Sequence, residues 1–123
     1  GRTIAVPKAA RGVAMVVFDD LCGKPLGAED YLTLARKYHT LILNGVPRLT
    51  EDRRNEAKRF MTLIDALYEH HVNLIMAADA APNDLYREGT HAFEFERAVS
   101  RLMEMQSGDY REMPHRSGNG DQE

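Results

Sequence analysis

Three short apolar runs, Val13 to Phe18, Leu41 to Leu43 and Val72 to Ala78, punctuate a chain that is otherwise mixed, and Asn73 interrupts the last of them. Each run is continuous rather than alternating, which is the pattern of strands buried on both faces and predicts a parallel sheet covered by helices. Between the first two runs, Tyr31, Leu34, Ala35 and Tyr38 recur at helical spacing within Gly27 to Tyr38. Between the second and third, Ala57, Phe60, Met61, Ile64, Leu67, Tyr68 and His71 form one stripe, spaced three and four apart. Thr50 offers an N-cap for that helix, with Glu51 and Asp52 in its positive first turn. A last helix is predicted from about Phe93 to Gln106, burying Phe95, Ala98, Val99, Leu102 and Met103, after breaks at Pro82-Asn83 and Gly89. The order is strand-helix-strand-helix-strand-helix. It predicts an α/β fold whose mostly parallel sheet of about three strands is covered by helices, with right-handed crossovers.

The 123 residues are 43% hydrophobic, enough for one core and too few for two. One domain over residues 1–110 is expected, followed by a flexible tail over 111–123, where Arg116-Ser-Gly-Asn-Gly-Asp-Gln-Glu carries no apolar period. Sixteen Lys and Arg against nineteen Asp and Glu leave a net charge of −3, which provides no broad field for nucleic acid or an anionic membrane. Nucleic acid is therefore not an expected partner. No run approaches the roughly 20 apolar residues that cross a bilayer, so no integral membrane segment is expected. The lone Cys22 has no second thiol for a disulfide or a metal site, which fits a reducing compartment. The sequence opens on Gly1 rather than Met, which suggests a piece of something longer.

Candidate chemistry is sparse. A phosphate-binding loop needs glycines whose amides face the phosphates, then Lys and a hydroxyl residue. The nearest stretch, Cys22-Gly23-Lys24-Pro25, puts proline at the hydroxyl position. Met15-Val16-Val17-Phe18-Asp19-Asp20 imitates a strand that ends on a Mg²⁺-holding acid, though any buried strand entering a polar turn looks the same. Asp19, Asp20, Asn44 and Asp79 all follow predicted strands and would share the sheet's carboxyl rim, either as a cation site or as ordinary turn residues. Glu94, Arg97, Arg101 and Glu104 share one helix face. The two arginines repel unless an anion or the flanking glutamates neutralise them. The five histidines show no ligand spacing, so no metal site is expected. Paired acids after the first strand and Asp79 after the third also imitate a phosphoacceptor signalling domain, an alternative that lacks its later strand units.

Beyond these signals, several stretches resemble one family. They are Phe18-Asp19-Asp20-Leu21-Cys22, Asp30-Tyr31-Leu32, Tyr38-His39-Thr40, Gly45-Val46-Pro47 and the run Ala57 to Tyr68. Phe93-Glu94-Phe95-Glu96-Arg97, Ser100 to Ser107 and Tyr110 continue the series. In order and spacing they resemble the ZapE-type ATPases, also called the Afg or lactation-elevated-protein type, which are P-loop enzymes related to the AAA+ class. The resemblance implies the C-terminal part of such an ATPase, downstream of its Walker motifs. It implies no catalytic residue in this stretch and no metal or cofactor held by it, ATP and Mg²⁺ being bound by the full-length protein. It also takes Phe18-Asp19-Asp20 out of the metal-binding role. Arg97 and Arg101, with Arg59 behind them, become the candidate phosphate-sensing arginines, while Ala98 stands where the family pattern often has Thr. The implied partners are the N-terminal P-loop part of the same protein and remodelled proteins of the bacterial division ring or of protein quality control, with oligomerisation open. The implied location is the bacterial cytoplasm, at the periphery of the inner membrane in one variant. A plain interaction module is the remaining reading.

Overall fold

The computed structural model describes residues 8–117. The elements are β1 (Lys8–Ala10), β2 (Val13–Val17), α1 (Phe18–Cys22), α2 (Ala28–Lys37), β3 (Thr40–Val46), α3 (Arg54–Glu69), β4 (Asn73–Ala78), α4 (Ala92–Glu104) and α5 (Gly108–Arg111). Short 3₁₀ turns at Glu51–Arg53 and Pro82–Asp84 lead into α3 and out of β4. The sheet has four strands in the order β1-β2-β3-β4, against the three expected. The added strand pairs antiparallel with β2 through the two-residue turn Arg11-Gly12, both residues at positive φ. Such turns match the twist of the strands they join. A Cβ on Gly12 would lie 2.5 Å from the His39 ring, so glycine is required there.

β2, β3 and β4 are parallel and lie side by side in chain order. Both crossovers therefore advance in the same direction and place α2 and α3 on one face, where they pack on each other. This corrects the expectation of strands buried on both faces. Ala14, Val16, Leu41, Leu43 and Leu74 point into the core, while the row Met15, Ile42 and Ile75 faces the uncovered side. Ile75 is 53% exposed.

The core is centred on α3. Phe60 lies 6.1 Å from Phe18 and 5.9 Å from Phe95, and Tyr86 closes on Phe95 at 5.5 Å. Leu63 and Ala66 are buried in addition to the predicted stripe, because α3 is flanked by α2 on one side and α4 on the other. Met103, predicted to be buried, is 55% exposed, and Val99 is only partly buried. Thr50 does start the α3 segment, but its hydroxyl donates to Asp52 instead of accepting an amide.

Of the predicted tail, residues 118–123 lie outside the described residues. Residues 114–116 are tied down: the Arg116 amide donates to the His70 carbonyl at 2.9 Å, and the His115 ring reaches the Ala35 carbonyl at 2.7 Å. No helix among the described residues is long and apolar enough to cross a membrane.

Candidate functional site

Arg97 and Arg101 lie one turn apart on α4, and the fold sets both against Asp65 on α3. Arg97 Nη2 meets one carboxylate oxygen at 2.9 Å, and Arg101 Nη1 meets the other. Neither flanking glutamate does this work. Glu94 approaches His91 at 4.0 Å, and Glu104 accepts a hydrogen bond from the Tyr68 hydroxyl at 2.9 Å. The Arg101 guanidinium stacks over the Tyr68 ring, 4.8 Å from its centroid. The bond to Glu104 raises the Tyr68 phenol above the ordinary tyrosine range, because an ionised phenol beside a carboxylate is disfavoured. Arg101 is thus held from two sides with its side chain 31% exposed. Arg97, at 65%, has its contact with Asp65 alone among the described residues.

Asp65 is the residue that pattern reading overlooked. It falls outside the apolar stripe of α3, yet it lies four residues after Met61 and three before Tyr68, on the border of that stripe. A carboxylate on such a border faces whatever helix packs alongside, and here that is α4.

Arg59 is elsewhere. Six residues before Asp65, it is about 9 Å away along the axis and on the far side of the helix. Its Nη1 donates to the Cys22 carbonyl at 3.0 Å and so joins α3 to the end of α1. That corner is buried: Tyr31 donates to the Leu21 carbonyl at 2.7 Å, and burial pushes the Cys22 thiol far above its usual range. Such a shift favours the protonated thiol, the less nucleophilic form. The fold therefore brings two of the three candidate arginines together and assigns the third to a structural corner.

Among the described residues, the stretches that imitate a phosphate loop and a metal-holding acid are already engaged within the chain. The Gly23 amide is already spent on the Asp19 carbonyl at 3.1 Å, and Pro25 has none to offer. Asp19 and Asp20 lie in α1 rather than at a loop start, and Asp20 pairs with Lys24 at 3.4 Å. Among the described residues, no three His, Cys, Asp or Glu side chains are placed to hold a metal ion. The cleft beside the arginine pair is about 270 Å³, and Asp65, Glu69 and Glu104 line it along with Arg101 and Arg116, a balance that disfavours a polyanion. The phosphoacceptor alternative finds no support either: β4 is the last strand among the described residues, where such a domain would need two more.

Four of the five histidines, His39, His70, His71 and His115, contact the chain's own carbonyls. His70 Nδ1 lies 2.8 Å from the Arg116 carbonyl oxygen, and His71 Nδ1 lies 3.2 Å from that of Pro114. His39 approaches His115 edge-on at 6.5 Å.

With this geometry in hand, comparison with known proteins is informative. A family model described as AFG1-like ATPase matches residues 1–114. The chain is 39% identical over 116 residues to the cell division protein ZapE of Escherichia coli K12, covering 91% of this chain and 31% of that protein. It is 32% identical over 142 residues to lactation elevated protein 1 homolog B of Danio rerio, covering 89% and 28%. An uncharacterised protein of Schizosaccharomyces pombe is 43% identical over 86 residues, covering 70% and 19%. The chain thus spans less than a third of the length of these relatives. No solved structure matches significantly.

Proposed function

Because the chain belongs to the AFG1-like ATPase family, we propose that it is the arginine-bearing region of an ATP-hydrolysing protein rather than a nucleotide binder in its own right. In this reading, a family-length protein holds ATP and Mg²⁺ on other segments, and Arg97 is offered to the phosphates from α4. One observation carries the proposal. A single carboxylate, Asp65, is shared between two guanidiniums, and the looser of the two arginines, Arg97, is the exposed one. Arg101, held by Asp65 and Tyr68, is then a positioning residue that fixes Asp65 and with it the resting place of Arg97. The chemistry of an arginine approaching a transferring phosphoryl group is electrostatic: it neutralises charge that builds on the equatorial oxygens. We extend to this chain the remodelling of protein partners and, from the name of the Escherichia coli relative, a part in cell division in the bacterial cytoplasm.

The test uses a family-length protein carrying this sequence. Arg97→Ala should lower kcat for ATP on the order of 10³-fold with KM little changed. Arg59→Ala should lower thermal stability and leave kcat of the folded protein intact. Full turnover in both Arg97→Ala and Arg101→Ala would remove the arginines from the chemistry and leave the region as a packing surface.

A further inference from the structure

The two edges of the sheet are built differently. β1, at one edge, is three residues long and begins with Lys8, whereas β4, at the other, reads Asn-Leu-Ile-Met-Ala-Ala without charge or proline. Natural sheets blunt an exposed edge with charge, proline or brevity, and β4 does none of these. Among the described residues, no strand pairs with its outer side. Asn73 and Asp79 donate their amides toward the β3 side, to the carbonyls of His39 and Val46. Alternation along the strand then turns the amides and carbonyls of Leu74, Met76 and Ala78 to the outer edge, where no strand lies among the described residues.

A groove of about 470 Å³ runs along that edge, with Leu74, Met76 and Ala78 on the strand side and Leu102 and Met103 on the helix side. α4 packs on α3 and on the turn at Pro82–Asp84, so it overhangs the edge of the sheet instead of capping a strand of its own. Arg111 is the groove's one charged side chain. It follows Tyr110, whose hydroxyl donates to the Val72 carbonyl at 2.8 Å, and so lies at the strand's N-terminal end. Its guanidinium has no partner among the described residues.

We propose that the outer edge of β4 receives an extended segment of a protein partner as a fifth strand beneath α4, apolar at alternate positions and bearing a carboxylate that meets Arg111. Backbone pairing supplies the binding and the groove supplies the preference for side chains. The overhang favours a single strand over a second copy of this chain, because a copy pairing through its own β4 would bring its own α4 into the same space. The site is separate from Asp65, Arg97 and Arg101, and its test involves no nucleotide.

The probe is the heptapeptide Asp-Val-Thr-Val-Thr-Val-Asp, blocked at both ends, labelled with fluorescein and added to the full chain. A saturable rise in anisotropy is expected, with shifts in the Leu74, Met76 and Ala78 amide resonances. Of two peptides N-methylated on alternate residues, one in each register, the one methylated on its edge-facing amides should bind at least about tenfold more weakly, since it loses two or more backbone hydrogen bonds. Arg111→Glu should weaken the acidic peptide about threefold and favour a peptide with lysine at both ends over the original. Absence of saturable binding, indifference to both methylation patterns, or shifts confined to residues around Asp65 would each overturn the proposal. So would light scattering that shows the chain self-associating through β4 in a way the peptide does not displace.

Discussion

Asp65 meets Arg97 and Arg101 at once, one oxygen to each. Truncating it removes the one carboxylate that is bonded to both guanidiniums. Asp65→Ala is therefore expected to cost about 1.5–3 kcal/mol, the range for hydrogen bonds to a charged group, as measured by urea denaturation. Arg101→Ala should cost more than Arg97→Ala, because Arg101 is the less exposed and also covers Tyr68. If the two cost the same, the pair is no more than a solvated ladder. Glu51 allows a test by pH. Its carboxylate accepts from the Thr90 amide at 2.5 Å and from the Thr90 hydroxyl at 2.7 Å, and these bonds hold its pKa below the ordinary 4.5. A depressed carboxyl contributes stability above its unfolded value, and the contribution fades as pH falls through the folded one. The Thr90 amide resonance should therefore titrate below pH 4.5 and lose that step in Glu51→Gln; a midpoint at or above 4.5 would contradict the clamp. The arginine pair was visible in the sequence because i, i+4 spacing on a helix is a local fact. Its partner was not, because no spacing rule links Asp65 to residues 32 and 36 positions away.

Among the elements, α3 was the most legible, since sixteen residues give the 3.6-residue period more than four turns in which to show itself. Phe60 is the middle of that helix in both sequence and space, fully buried between Phe18 and Phe95. Phe60→Ala is expected to lower stability by about 3–5 kcal/mol, because the cavity cannot close without moving α1 or α4. Retention of the wild-type urea midpoint would show that the ring ladder is not the core. α1 and β1 were not legible, at five and three residues too short for any period to register. Phe18-Asp19-Asp20 reads locally as the end of a strand. It becomes a helix because Phe18, Leu21 and Cys22 are buried together, and Arg59 and Tyr31 occupy the carbonyls at its end.

At the scale of the fold, the decisive feature is that, among the described residues, helices cover one face of the sheet only. Neighbouring residues of β4 report the difference: Leu74 is 5% exposed on the covered face, and Ile75 is 53% exposed on the bare one. Leu74→Ala should cost about 2–5 kcal/mol. Ile75→Thr, on the same strand, should stay within about 0.5 kcal/mol, and a large loss there would mean that the second face is covered after all. The apolar runs themselves, the two crossover helices and the parallel direction of the three main strands follow from local composition, because hydrophobic period and connection length are properties of contiguous residues. Family membership was legible for the same reason, in short motifs kept in order. Sheet order, which sends both crossovers to one side and leaves β4 as an edge, and the meeting of α3 with α4, which places one carboxylate between two arginines, were decided in three dimensions. They depend on which non-adjacent segments share a core, and no local pattern along the chain carries that information.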